Sequence, residues 1–168
     1  VIALTRPKRA LIIGLAAAQL SGLSPAMEQA AKRLPAVKPG AHTSFKPLKT
    51  INAGVLNVAY AEDGPADGPV VLLLHGWPYD IYSYVDVAPL LASAGYRVII
   101  PFLRGYGDTR FLSDATPRNG QPAALATDII DLMNALKIEK AVVGGYDWGG
   151  RTADILAAIW PERVKALV

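Results

Sequence analysis

Asp147 lies at the centre of a Gly-x-Asp-x-Gly pattern, with Gly145 and Gly149 on either side. This spacing is typical of a nucleophile elbow, a sharp turn from a strand into a helix that exposes its central side chain. A carboxylate there is held ionised by the first N–H groups of the helix and can attack an electrophilic sp³ carbon. The alternative role for Asp147 is that of a helix N-cap, and this short motif alone does not decide between them.

Two further motifs could contribute to the same site. HGWP at residues 75–78 follows one apolar run, and RGYGDT at residues 104–109 follows the next. A loop directly after a neighbouring strand can supply a backbone N–H that stabilises a developing oxyanion. The N–H groups of Trp77 and Trp148 are the predicted pair. His75 is interpreted as a structural histidine and not as a base, because it belongs to the strand end and precedes the elbow in the chain.

Apolar runs and helical patterns alternate along the chain and predict the elements that position these motifs. The predicted elements are a β-hairpin around residues 52–54, buried strands at 70–76, 96–101 and 140–145, helices at 81–94, 123–137 and 148–160, and a strand beginning at 164–168. Parallel strands that are buried on both faces read as continuous apolar runs. The alternation therefore predicts an α/β fold with a parallel sheet and right-handed crossovers.

Charge and cysteine content exclude several classes of function. The formal net charge is +3, but its three excess basic residues all lie in residues 1–26, and the remainder carries 14 basic and 14 acidic side chains. A neutral body offers no basic surface for nucleic acid. The absence of cysteine excludes disulfides, thiolate metal sites and a cysteine nucleophile. His42 and His75 lie far apart without metal-ligand spacing, so we expect no metal and no cofactor.

The N-terminal segment has the pattern of a secretory signal. Residues 1–26 contain the basic stretch TRPKRA, the apolar stretch LIIGLAAAQL, and small residues at Ser24 and Ala26. The apolar stretch is too short to span a bilayer as a helix. We therefore predict a cleaved signal peptide, export to the periplasm or medium, and no membrane span in the mature chain. An amphipathic helix or an uncleaved anchor is the alternative. Residues 27–47, rich in Ala, Lys and Pro, are predicted to be a linker.

The motifs HGWP, RGYGDT and GYDWGG, in that order on successive strand ends, resemble the α/β-hydrolase superfamily and most of all its epoxide hydrolase branch. The resemblance covers residues 48–168. It implies a partial α/β-hydrolase fold, in which N-terminal hairpin strands are followed by parallel βα units that end just after the elbow helix. It further implies that Asp147 is the nucleophile and that the N–H groups of Trp77 and Trp148 form the oxyanion hole. The residues implied to support these turns are His75, Gly76, Pro78, Gly145 and Gly149.

The resemblance also implies a two-step mechanism and a small-molecule substrate, an epoxide or another apolar electrophile. In the family the aspartate opens the epoxide by attack on carbon, and a histidine-activated water then hydrolyses the ester. No histidine follows Asp147 in this sequence, and the cap domain with its acidic tyrosines has no counterpart. We therefore expect the chain to be the N-terminal part of a longer protein, and to be unstable or inactive in turnover on its own.

Two other functions remain open. Haloalkane dehalogenases share the Asp-Trp elbow, but many of them place Asn at the position of Trp77, which favours epoxide hydrolysis here. A non-catalytic binding protein on a hydrolase scaffold is the other alternative, because the base is missing. A serine esterase is disfavoured because no serine occupies the elbow. The sequence makes no prediction of oligomeric state.

Overall fold

The computed structural model describes Gly40, residues 42–45 and residues 47–168. The predicted signal peptide at residues 1–26 lies outside the described residues, as does most of the predicted linker, so both stay predictions. Within the described ranges, no helix combines the length and the apolar character that crossing a membrane requires.

The described residues form a seven-stranded mixed sheet with three α-helices. The strands are β1 Lys49–Ala53, β2 Leu56–Asp63, β3 Val70–Leu74, β4 Arg97–Pro101, β5 Arg110–Phe111, β6 Ala141–Gly145 and β7 Val164–Leu167. The helices are α1 Ala88–Ser93, α2 Pro122–Ala135 and α3 Trp148–Ile159, with 3₁₀ turns at Ile81–Tyr84 and Pro161–Arg163. The strand order is β1-β2-β4-β3-β6-β7, and β5 pairs with β2. This arrangement confirms the predicted α/β class.

The parallel strands form the centre of the sheet. β3 pairs in parallel with both β4 and β6, and β6 pairs in parallel with β7, whereas β1 and β2 are antiparallel. Side chains of β3 alternate between the faces, as strand geometry requires. Leu72 and Leu74 pack in the apolar cluster that contains α2 and α3 residues, and Val71 and Leu73 pack in the cluster that contains Ala88 of α1. Both faces are therefore covered, which explains the continuous apolar runs.

The prediction of one helix over residues 81–94 is wrong. The segment divides into a 3₁₀ turn and the short helix α1. The Asp80 carboxylate accepts a hydrogen bond from the Tyr82 N–H at 2.9 Å, which caps the first piece. Pro89 lies in the first turn of α1, where a proline is tolerated because the amide it lacks would have no helical partner.

Smaller differences occur in the loops. The predicted hairpin is confirmed, but its turn is formed by Gly54 and Val55, between β1 and β2, and Gly54 has a φ of 55°. The short strand β5 lies between β4 and α2, in a segment for which no strand or helix is predicted. Its two residues pair with Leu56 and Asn57 of β2, and so short a strand has no detectable apolar alternation.

The described end of the predicted linker contacts the sheet domain. The backbone N–H groups of Gly40 and His42 donate to the Asp86 carboxylate at 2.9 and 3.3 Å. The ring of Phe45 stacks on that of Tyr82, with 6.1 Å between the ring centroids. These contacts anchor this short stretch beside the 3₁₀ turn that precedes α1.

Candidate active site

Asp147 occupies a tight turn between β6 and α3. The Gly149 N–H donates to the Tyr146 carbonyl at 2.9 Å, which closes a four-residue turn with Asp147 at its second position. The Asp147 backbone has φ 52° and ψ −118°, the angles of a type II′ turn, a position that glycine usually occupies. The Asp147 side chain is exposed and makes no capping hydrogen bond within α3. The turn therefore presents the carboxylate above the carboxyl end of β6.

Three glycines allow the backbone to approach closely enough to form this turn. A Cβ on Gly149 would lie 2.0 Å from the Leu74 carbonyl oxygen, and one on Gly145 would lie 2.6 Å from the Gly149 carbonyl carbon. A Cβ on Gly76 would lie 2.6 Å from the Cβ of Asp147. No side chain fits at any of these positions without displacing the backbone or Asp147. The close packing gives the predicted supporting glycines a physical role.

The loop after β3 meets the carboxylate directly. The Trp77 N–H donates to Asp147 Oδ1 at 2.8 Å. The pKa of the Asp147 carboxyl is lowered by the neighbouring Trp148 N–H, by the Trp77 N–H and by the positive charge of Arg151. Of these two N–H groups, that of Trp77 has hydrogen-bond geometry. The structure thus brings the predicted nucleophile and both predicted oxyanion-hole amides together. The peptide bond between Trp77 and Pro78 is cis.

His75 is buried behind this loop. Its side chain is completely buried, its Nε2 accepts a hydrogen bond from the Leu103 N–H at 3.1 Å, and its Nδ1 has no partner. The ring lies edge-on to Tyr106, with 4.7 Å between centroids. Burial lowers the pKa of His75, and a nitrogen that accepts a hydrogen bond carries no proton, so the ring is neutral. Because the accepting nitrogen is occupied by Leu103, the geometry agrees with a structural role and not with that of a base.

The other histidine does not contact the site. The His42 Nδ1 lies 3.3 Å from Asp86 Oδ1, and both side chains are partly exposed. His42 belongs to the segment that precedes β1. Neither of the two histidines of the sequence hydrogen-bonds to Asp147. Within the described ranges no group of three or more potential metal-ligating side chains comes together. The chemistry that the described site offers is that of an exposed carboxylate with two nearby amides.

Two groups of contacts near the elbow were missed from the sequence. The hydroxyl groups of Ser83 and Tyr146 are hydrogen-bonded at 2.7 Å, which links the first 3₁₀ turn to the residue before Asp147. Arg104 forms a buried ion pair with Asp128 of α2. A signal for the second was available, because Asp128 lies three residues after Leu125 on the apolar face of its helix. An acid in such a position needs a buried partner.

Comparison with known proteins indicates the family of this chain. The family model of the alpha/beta hydrolase fold matches residues 69–168. Epoxide hydrolase 3 of Siraitia grosvenorii is 42% identical over 119 residues, which are 71% of this chain and 36% of that protein. An epoxide hydrolase of Caballeronia sordidicola is 42% identical over 100 residues, 60% of this chain and 30% of that protein.

Two solved structures are also similar to this chain. A candidate epoxide hydrolase from Klebsiella pneumoniae subsp. pneumoniae has a TM-score of 0.72 and 63% identity, covering 73% of this chain and 41% of that one. An epoxide hydrolase from Vigna radiata has a TM-score of 0.64 and 34% identity, with 71% and 36% covered. The chain spans about a third of the length of the two relatives from Siraitia and Caballeronia. Since the family match extends over more than half of its residues, this chain belongs to the α/β-hydrolase fold family.

Proposed function

We propose that this chain contains the nucleophile and oxyanion hole of a hydrolase that opens epoxides to diols, with Asp147 as the nucleophile. The observation that carries the proposal is the exposed Asp147 carboxylate, turned out of the strand end and held by the Trp77 N–H at 2.8 Å. The relatives named epoxide hydrolase support the choice of substrate class. Asp147 is kept ionised by neighbouring N–H groups, and an ionised carboxylate is a competent nucleophile toward carbon.

The hydrogen bond distinguishes the two carboxylate oxygens. Oδ1 is held by the Trp77 N–H, so Oδ2 is the oxygen available for attack on an epoxide carbon. The carbon–oxygen bond of the ring breaks as the ester bond forms, and the released oxygen takes a proton from water or an acid. Oδ1 then becomes the ester carbonyl oxygen. In this proposal the N–H groups of Trp77 and Trp148 stabilise the oxyanion that develops on Oδ1 during hydrolysis.

The second half of the reaction needs a base that neither histidine supplies. His75 is buried with its accepting nitrogen engaged by Leu103, and His42 is paired with Asp86. We therefore expect the 168-residue chain to form the ester faster than it hydrolyses it. The ester should accumulate and be detectable by mass, whereas steady-state diol formation should be negligible.

The test is a single-turnover alkylation experiment. The chain is incubated with a terminal aryl epoxide, its intact mass is measured, and the modified peptide is sequenced. We expect a gain of one epoxide mass on Asp147 that is released by hydroxylamine, as an ester should be. The variant Asp147→Asn should show no adduct, since the amide is not nucleophilic. The matched control Asp154→Asn removes an exposed carboxylate of α3 and should be modified like the original chain.

Absence of an adduct, or an equal adduct in Asp147→Asn, would contradict the proposal. The same assay with a primary haloalkane separates the dehalogenase alternative. Faster ester formation from the haloalkane than from the epoxide, with stoichiometric halide release, would reassign the substrate class while leaving Asp147 as the nucleophile.

A further inference from the structure

A buried ion pair anchors the loop that follows β4. Arg104 Nε donates to Asp128 Oδ2 and Arg104 Nη2 donates to Asp128 Oδ1, both at 2.6 Å. Both side chains are 8% exposed. Arg104 also donates to the carbonyl oxygens of Asn119 and Ala124, at 3.0 and 3.3 Å. A bidentate guanidinium–carboxylate pair fixes both distance and orientation. The pair therefore holds residue 104 at a defined position against α2.

The residue next to this anchor contacts His75. The Leu103 N–H donates to His75 Nε2 at 3.1 Å, and Leu103 is itself buried in the apolar cluster that contains α2 and α3 residues. Since Nε2 accepts, the proton of the neutral ring lies on Nδ1. The Tyr106 ring packs edge-on against the imidazole from the same loop. Residue 104 is thus linked to the His75 ring through the N–H of the preceding residue, Leu103.

His75 in turn lies two residues before the amide that holds the carboxylate. Gly76 packs so closely against Asp147 that even a Cβ would overlap with it. The Trp77 N–H then reaches Asp147 Oδ1 at 2.8 Å. A displacement of about 1 Å at this amide would take the bond outside hydrogen-bond range. The Trp77 amide accordingly needs a fixed support, and His75 lies at the start of the loop that carries it.

We propose that Arg104 and Asp128 are positioning residues, which set the Trp77 amide against the Asp147 carboxylate through the Leu103 N–H and the His75 ring. The consequence for catalysis rests on the proposed function, because the amide matters for reaction only if Asp147 is the nucleophile. The geometrical statement does not depend on any substrate. It gives the ion pair a role at the site.

A second ion pair provides a matched control. Glu62 of β2 accepts from Arg97 Nε at 2.6 Å and from Lys49 Nζ at 2.6 Å, and its side chain is 11% exposed. Arg97 pairs with Val70 at the start of β3, whereas the elbow lies at the opposite end, where Leu74 pairs with Gly145. Loss of this carboxylate should therefore affect stability without reaching the site.

The test measures the site directly by NMR, without any epoxide. The titration of the Asp147 carboxyl carbon and the amide signal of Trp77 are followed in the 168-residue chain and in the variants Asp128→Asn and Glu62→Gln. The other ionisable side chains near the carboxylate are Arg151, Tyr106 and Tyr146, which all variants retain. We expect Asp128→Asn to raise the titration midpoint of Asp147 toward its ordinary value and to shift the Trp77 amide signal, and Glu62→Gln to change neither.

Two variants of His75 keep the proposal testable if Asp128→Asn does not fold. His75→Phe retains an aromatic ring against Tyr106 but removes the acceptor, whereas His75→Gln offers an amide oxygen near the position of Nε2. We expect the first to shift both signals and the second to restore them in part. Unchanged signals in folded Asp128→Asn or in His75→Phe would overturn the proposal, as would equal changes in Glu62→Gln. Failure of the epoxide to alkylate Asp147 would contradict the proposed function and leave these NMR results unaffected.

Discussion

Lys137 and Asp147 are the non-glycine residues with positive φ in the described ranges, at 56° and 52°, and they occupy very different surroundings. Lys137 follows α2 in a Schellman motif. Its N–H donates to the backbone carbonyl of Asn134 at 3.1 Å, and the Ile138 N–H donates to the backbone carbonyl of Met133 at 2.8 Å. These bonds satisfy carbonyl groups that every helix end leaves free. At Lys137 the unusual backbone is therefore part of how the helix ends.

Asp147 gains no such helix-ending bonds. Its ψ of −118° lies outside the left-handed helical region, where asparagine and aspartate are tolerated, and its side chain does not cap α3. A backbone held in a sparsely populated region costs of order 1–3 kcal/mol. What the turn gains is an exposed carboxylate beside the Trp77 N–H. The comparison shows that one positive φ serves helix termination, whereas the other is explained by the placement of a side chain.

The largest expected effect comes from breaking the packing that forces the turn at Asp147. Gly149→Ala would place a Cβ 2.0 Å from the Leu74 carbonyl oxygen, which is backbone and cannot move aside. We expect a loss of roughly 3 kcal/mol or more in the free energy of unfolding, measured by urea denaturation. The neighbouring Gly150→Ala is the control, since its Cβ would be 3.5 Å from the nearest atom. A stable Gly149→Ala variant would show that the elbow is not held by close packing.

The second effect sharpens the comparison at Asp147 itself. Glycine adopts positive φ without the penalty of a Cβ, so Asp147→Gly should stabilise the chain by about 1 kcal/mol or more. The same variant should form no ester with an epoxide. Denaturation midpoints and intact mass give the two readouts, with Asp147→Ala as a control that removes the carboxylate but keeps the Cβ. A destabilised Asp147→Gly variant would mean that the hydrogen bond to the carboxylate stabilises the fold by more than the backbone strain costs.

A smaller gain is expected at Lys137. Lys137→Gly relieves the left-handed backbone but makes the unfolded chain more flexible, so a net stabilisation of about 0.5 kcal/mol is expected. Lys137→Ala, which keeps a Cβ, should differ from the original chain by less than about 0.5 kcal/mol. Thermal unfolding of the three proteins provides the measurement. Ester formation at Asp147 should be the same in all of them, since Lys137 belongs to a helix end and not to the site.

The smallest effect is on pH dependence. The folded-state pKa of Asp147 is lowered below its ordinary 3.8, so its contribution to stability is complete above pH 3.8 and is lost as the pH falls through the lower folded value. Below pH 3.8 the original chain should therefore lose free energy of unfolding relative to Asp147→Asn. Urea midpoints at neutral and acid pH test this. A difference that is independent of pH would mean that the N–H groups do not lower the pKa of Asp147.

Much of the fold could be predicted because parallel strands buried on both faces are visible in the sequence as continuous apolar runs. β3, β4 and β6 each appear as a short apolar run ending at a motif, and their positions agree with prediction to within one or two residues. The prediction of one helix over residues 81–94 was wrong because the cap by Asp80 and the proline at position 89 act locally, without changing the apolar pattern. The strand β5 was not predicted because two residues are too few to show a periodic apolar pattern.

The site was predictable in part for a related reason. Gly145 and Gly149 are required by local chain geometry, so they are visible in the sequence, and the structure explains both by a close contact. The Arg104–Asp128 pair joins residues 24 positions apart, and only the tertiary fold shows which acid meets which base. The roles of Asp147, Trp77 and Trp148 in catalysis stay predictions that the alkylation experiment addresses.

The aromatic residues beside the nucleophile give the molecule an optical probe. Of its three tryptophans, Trp77 donates its backbone N–H to the Asp147 carboxylate, Trp148 follows Asp147 in the chain, and Trp160 packs against the apolar cluster that contains α2 and α3 residues. Trp77 is 68% exposed, so its indole should emit at long wavelength and be quenched by iodide. An apolar molecule bound at Asp147 that also covers this indole would shift the emission to shorter wavelength. Binding of such a molecule can therefore be followed by intrinsic fluorescence, with no label and no chemical step.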